Sequence, residues 1–405
     1  MFSIALTVVL AACGDGRIDT FAQPQCAPCM PGHACPCSTV EVATEACDGK
    51  DLGGKTCVGL GFLGGTLACS KTCEVDTSSC SRAKAPGRDV TPGAFGDLAI
   101  SADEVAVVTS SRSILTLEVF SRKGLVSTKR TDLPLRVKAD GAGGIGELRV
   151  VATKDGWVVA GQLYGSTSEL RLWHVHADGT WDERGTARGQ RPLFFIRAGE
   201  ALALGGETWA PDSKSVGVTV TTLSADGTPG DSRFLAAPDR RFTGNTASAA
   251  FFGGAVHVLS TCNPNQPKSP VRLDGAPLDL FGGLGALAAD GAGGQALVVN
   301  DGLVRLRFDA SGKPTDAPKK VGAPLGRVLS AAVVDGVLEA WFLRGSMLTR
   351  LRLPNDGSAQ TEDLVSGLNF EVLAVQQAHG AAFTLTSSGG STTLHQFEPA
   401  APRPR

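Results

Sequence analysis

The feature that most limits what this chain can become is a series of tight-turn signals that returns at a nearly constant interval through residues 88–399. One member of the series is legible in Leu148 to Thr186. Leu148–Thr153 is apolar and β-branched, and Lys154-Asp155-Gly156 turns it into Trp157–Leu163. A polar loop leads to Glu169–Ala177, and Asp178-Gly179 turns that run into Thr180–Thr186. Asp-Gly between two strand-like runs is a strong hairpin signal, because glycine takes the positive φ that such turns require. The stretch reads as four short antiparallel strands.

The unit recurs. Its first turn is followed at Ala102-Asp103, Asp155-Gly156, Gly199, Gly253-Gly254, Asp290-Gly291, Asp335-Gly336 and His379-Gly380. Its third appears at Lys123-Gly124, Asp178-Gly179, Asp226-Gly227, Asp274-Gly275, Ser311-Gly312 and Asp356-Gly357. Steps of about 37 to 55 residues, averaging about 46, with four strands per copy, are what β-propeller blades require. The last copy stops after its third strand, near Thr392–Phe397, and Arg88–Pro92 is placed to supply the missing outer strand. Such closure removes two exposed sheet edges. The expectation is an all-β chain whose residues 93–399 form a propeller of seven four-stranded blades. Six or eight blades are the neighbouring counts, and a pair of β-sandwiches is the rival. The chain resembles the propeller superfamily in general, without the Trp-Asp or Gly-Gly signatures of its best-marked subfamilies.

Composition agrees. Gly at 51 of 405 residues and charged residues at 19% suit a turn-rich β-protein. A net charge of −2 argues against a nucleic-acid partner, which would call for a basic footprint.

The N-terminus points to export. Phe2–Ala12 is an apolar run too short to span a bilayer and suited to a signal-peptide core. It ends in Leu10-Ala11-Ala12-Cys13, which resembles the lipobox of bacterial lipoproteins. That resemblance implies a signal peptide over 1–12, acylation of Cys13, and a membrane partner reached through the lipid. Gly14, rather than Asp, then implies passage to the outer membrane in a Gram-negative envelope. An ordinary signal peptide or a buried strand is the alternative reading of the same run.

Ten of the 11 cysteines lie before residue 81, and Cys262 stands alone. That density in 13–82 implies an oxidising compartment and a disulfide-stapled module. Cys47-Asp-Gly, Leu52-Gly-Gly, Cys57, Leu60-Gly-Phe62, Cys69, Cys73 and Cys80 resemble a small repeat of myxobacterial surface and secreted proteins. The resemblance implies a structural spacer or adhesion-like role. An insertion carries Cys26, Cys29, Met30, His33, Cys35 and Cys37, which reads either as two further disulfides or as a soft-metal site. If Cys13 bears lipid, full pairing of the ten remaining cysteines needs a bridge to Cys262, and without it Cys262 and one module cysteine stay unpaired; if Cys13 pairs within the module, Cys262 is the odd thiol. Residues 83–92 read as linker and closing strand, and 400–405 as a disordered tail.

No catalytic constellation emerges, and no cofactor or metal is expected. His174 and His176 alternate on one strand and share a face, half of a metal site without a third ligand. His257, His379 and His395 are isolated. The Asp-Gly aspartates read as turn chemistry rather than calcium ligands. Ser110-Ser111 and Ser387-Ser388 are expected in turns, with no nucleophile elbow nearby. Ala-Asp-Gly-Ala-Gly-Gly at 139–144 and 289–294 opens no helix, which argues against a phosphate cradle. The leading functional expectation is a lipid-anchored envelope protein whose propeller binds a protein, peptide or glycan without catalysis. The alternatives are metal capture by the cysteine insertion, and an envelope hydrolase, lyase or quinoprotein. The enzyme reading requires His, Asp, Glu or Arg side chains converging at one mouth of the central channel.

Overall fold

The structure, a computed structural model, describes residues 20–26, 37–43, most of 47–55 and 64–81, and 87–397 with short interruptions, the longest being 135–144, 237–245 and 262–269. Among the described residues all regular structure is strand. The chain divides into two compact units, Met1–Arg82 with Asp363–Gly367, and Ala83–Glu362 with Leu368–Arg405.

The larger unit contains seven four-stranded antiparallel sheets, six built from four consecutive strands and the seventh from the last three strands of the chain together with Arg88–Val90. Their first strands are Phe95–Ile100, Ile145–Ala152, Arg191–Ala198, Thr246–Phe252, Leu284–Asp290, Arg327–Val334 and Glu371–Ala378. Each first strand contacts the first strand of the next sheet, and the seventh contacts the first. The chain is a seven-bladed β-propeller.

Its closure follows the expectation. The third strand of the last blade, Ser391–Phe397, pairs antiparallel with Arg88–Val90, with Thr392 opposite Val90 and Leu394 opposite Arg88. Val90 is buried in the seam with Leu98, Phe383 and Leu394. Residues from near both ends of the propeller segment therefore share one sheet.

The second blade shows why these sequences become inner strands. Its second strand, Gly156–Leu163, is flanked by sheets on both faces, so it cannot alternate apolar with polar. Trp157 and Val159 pack toward the first blade, and Val158 and Ala160 toward the third. Burying each large side chain of this kind contributes about 1.5–3 kcal/mol. The outer strand Trp181–Arg188 packs on one side only and is mostly polar and exposed.

Two geometries stand out among the Asp-Gly signals. At Asp335-Gly336 both residues take positive φ, 51° and 73°, the signature of a two-residue type I′ hairpin. At Asp178-Gly179 only the glycine does, at 91°. There the Gly179 N–H donates to the His176 carbonyl, and Asp178 Oδ1 accepts the Thr180 N–H at 2.8 Å. The same backbone closure recurs at Gly227 with Ser224 and at Gly312 with Asp309. Asp226 and Asp309 likewise accept backbone N–H groups two residues ahead. These aspartates serve the turns.

In the smaller unit, Thr20–Cys26 pairs with Cys37–Ala43, with Cys26 opposite Cys37. Cys47 is bridged to Cys69 with a Cα–Cα separation of 5.7 Å, and Cys73 is also disulfide-bonded. Cys80 lies in a short strand against Gly64–Gly65. Cys13, Cys29, Cys35, Cys57 and Cys262 lie outside the described residues, as do Met30, His33 and His379.

Candidate functional site

The inner strand of every blade has a hydrogen-bonded neighbour on one side only, so its other edge borders the central channel. That channel holds a cavity of about 1510 Å³ walled by inner-strand residues of all seven blades. Pairing with the second strands sets one level of this wall in a common register. Asp97 lies opposite Val108, Arg149 opposite Ala160 and Phe194 opposite Gly205. Ser248 lies opposite Leu259, Ala286 opposite Leu297, Ser330 opposite Trp341 and Ala374 opposite Leu385. At this level the ring is lopsided: blades one and two carry Asp97 and Arg149, blade three carries Phe194 packed on Gly205, and blades four to seven carry only serine and alanine. Arg327, Leu329 and Gln376 line the cavity at other levels.

Three members of this ring reach across to the next blade. Asp97 Oδ2 accepts the Val150 N–H at 2.9 Å. Arg149 Nε donates to the Leu193 carbonyl at 3.3 Å, and Ser248 Oγ accepts the Leu287 N–H at 3.0 Å. Each satisfies a backbone group that the ladder leaves open at the channel edge. Asp97 is buried, and burial lifts its pKa from 3.8 to about 6, against the pull of the Arg149 charge and the Val150 and Leu98 N–H groups.

A charged ladder continues from Arg149. Its guanidinium lies 3.7 Å from Glu147, whose other oxygen lies 3.3 Å from Arg191. Arg191 in turn donates to Glu207 at 2.8 Å. Burial opposes the Arg191 charge, but the Glu147 and Glu207 carboxylates outweigh it and hold the guanidinium pKa above its usual range. The side chains of Glu147, Arg149 and Arg191 remain between a quarter and a third exposed, so their polar edges face the cavity. Sequence reading passed over all of these residues, because adjacency around a ring of strands far apart in sequence is set only by the closed fold.

His174 and His176 do share a face, with ring centroids 4.3 Å apart. The structure supplies neighbours that the sequence did not show. His176 Nε2 pairs with Asp182 at 2.7 Å. Arg184 donates to His174 Nδ1 at 3.3 Å and lies 3.5 Å from Asp182 and 3.4 Å from Asp226 of the third blade. A guanidinium thus stands as the cation of this cluster. Burial, then His176 and Arg184, lower the His174 pKa. Among the described residues no group of three or more His, Cys, Asp or Glu could hold a metal.

His257 is not isolated. Its Nδ1 pairs with Asp274 Oδ2 at 2.7 Å, its ring stacks on Phe252 at 4.1 Å, and Asp274 Oδ1 accepts the Val258 N–H at 2.9 Å. His257 is the third residue of its blade's second strand, and the equivalent positions in the next two blades are Gln295 and Glu339. All three are buried and paired: Gln295 with Asp290 and Arg305, Glu339 with Arg352 and Gln377. In the other four blades this position is Ala106, Val158, Ala203 or Phe383. His395 is partly buried beside Thr386, 3.2 Å from its hydroxyl. Ser110-Ser111 and Ser387-Ser388 end second strands rather than lying in turns, because the hairpins begin one residue later than the polar pairs suggest.

No protein-family model matches the sequence, and no curated protein matches it. Solved structures similar to it include the Dos1 propeller, at 9% identity and a TM-score of 0.44, covering 76% of this chain and 93% of that one. Another is the polysaccharide lyase Uly1, at 8% identity and a TM-score of 0.49 over 77% and 91% of the two chains. A third is the β-propeller domain of the Trilobed protease from Pyrococcus furiosus, at 10% identity and 0.45 over 76% and 96%. Likeness at this level speaks to fold alone, and the blade count rests on the strand pairings above.

Proposed function

We propose that this is a lipid-anchored cell-envelope protein, tethered through Cys13 to the outer membrane, whose propeller binds its ligand in the central channel without transforming it. The observation that carries the binding reading is the lopsided ring. Serine and alanine on four consecutive blades leave room opposite the Asp97, Arg149 and Arg191 side, and a cavity with open volume facing a few fixed polar groups is what ligand sites need. Rigid inner strands hold those groups in place. The cysteine module serves as a stapled spacer between lipid and propeller. The envelope assignment rests on the lipobox resemblance and on cysteine density.

The test is a thermal-shift screen of the whole protein against peptides and oligosaccharides, repeated on Ser330→Phe, which fills the open side of the channel. A ligand that raises Tm in the parent but not in the folded variant supports the reading, and one indifferent to Ser330→Phe defeats it. Anchoring is tested by mass spectrometry of native protein. Acylated Cys13 supports the tether, whereas Cys13 unacylated and joined to another cysteine overturns it.

The charged wall also favours a second reading, an envelope propeller enzyme. Asp97, Glu147, Arg149 and Arg191 form the kind of polar convergence at the channel that catalysis requires, and a buried carboxylate near pKa 6 is suited to moving a proton. Turnover of a channel ligand that disappears in Asp97→Asn would establish it.

A further inference from the structure

We infer that the channel ligand is an uncharged, hydroxyl-rich chain, a neutral glycan, rather than an ionic one. This rests on the channel-binding reading and narrows it by chemical class.

Charge balance is the first ground. The side chains lining the cavity include five basic and four acidic residues, so the site as a whole offers little net field to an ion. The nearest opposite charges are already committed to one another: Glu147 joins Arg149 and Arg191, and Glu207 takes the other side of Arg191. At this ladder a carboxylate ligand would have to displace Glu147 from two arginines, and an ammonium would have to displace an arginine from Glu147. Either exchange costs the pair it breaks and leaves a partly buried charge uncompensated.

What such a ladder does offer is a fixed row of alternating donors and acceptors, neutral as a set, with outer edges exposed. Hydroxyl groups are both donor and acceptor, and neighbouring hydroxyls can meet a guanidinium edge and a carboxylate oxygen without bringing charge of their own. The opposite wall adds the neutral groups Ser330 and Gln376 beside the single cation Arg327. Phe95, partly exposed on the first inner strand, supplies an apolar face for the C–H side of a sugar ring.

The experiment is isothermal titration of the full-length protein with three families of hexasaccharide: neutral glucans of different linkage, acidic hexagalacturonate and cationic chitosan hexamer. The expected result is binding of a neutral member, changed less than about twofold between about 50 and 500 mM NaCl. That binding falls at least about tenfold in Ser330→Phe, whose fold is checked by circular dichroism. Glu147→Gln frees one face of Arg149 and Arg191 and is expected to gain measurable, salt-sensitive affinity for hexagalacturonate. Preferential binding of either charged family by the parent protein overturns the inference. Failure of every neutral glucan, with a ligand of another class lost in Ser330→Phe, overturns it while the channel reading stands. Ligand binding by any class that is untouched by Ser330→Phe removes both.

Discussion

The Asp97 carboxylate accepts the Val150 backbone N–H at 2.9 Å, joining the innermost strands of the first and second blades across the gap between two sheets. A buried acid in that position does two things at once: it closes a seam and leaves a titratable group in the channel wall. The sign of its pH effect follows from the direction of its shift. Its pKa is raised from 3.8 to about 6, so the stability linked to it is fully present below the unfolded value and is lost as pH rises from about 4 through 6. The shift corresponds to about 3 kcal/mol, an order-of-magnitude figure. Asp97→Asn keeps an acceptor and removes the titration. Denaturant unfolding between pH 4 and 7.5 is expected to show a fall in stability for the parent relative to Asp97→Asn; parallel profiles would contradict it.

Closure of the ring depends on a three-residue strand. Val90 is buried where Arg88–Val90 pairs with the last blade. Val90→Asp buries an unpaired charge and is expected to cost about 2–4 kcal/mol and to free a sheet edge. Light scattering after size-exclusion chromatography should then show self-association absent from the parent.

Glu339 is buried with Arg352 at 2.8 Å and with the Gln377 amide. Glu339→Ala removes the buried partner of Arg352, whose side chain is 28% exposed, and is expected to cost about 1–3 kcal/mol, whereas replacing both partners with leucine should cost less. Urea unfolding of the single and double variants separates the two outcomes, and equal losses would show that the pair contributes nothing beyond volume.

The bridge Cys47–Cys69 closes a loop of 22 residues. Its removal through paired serine substitutions is expected to lower the stability of the smaller unit by about 3 kcal/mol. Hydrogen exchange at residues 64–76 reads the loss directly, with faster exchange expected.

His174 carries a pH effect of the opposite sign to Asp97. Its pKa is lowered by burial and by its cationic neighbours, so the linked stability is present at neutral pH and lost as pH falls below the ordinary histidine value. A His174→Gln variant is expected to unfold with less acid sensitivity between about pH 7 and 5, measured by fluorescence of the adjacent Trp173 and the other tryptophans.

Much of the architecture was legible in the chain itself. Turn chemistry is local: an Asp-Gly pair that demands positive φ declares its hairpin without help from distant residues, and repetition of the unit made the ring of seven and its closing strand readable. The two turn geometries behind one dipeptide were not, since loop length and the pairing of flanking strands choose between them. His257 looked isolated because Asp274 serves a turn in sequence and reaches the histidine only once the hairpin folds back.

The channel lay further out of reach. Asp97, Arg149, Ser248 and Ser330 come from four blades, and nothing in their spacing says that they share one level of a common wall. A period can state that blades repeat, because each copy must bury the same faces. Which side chains meet at the axis is decided by register across strands and by closure of the ring, and these are properties of the tertiary structure alone.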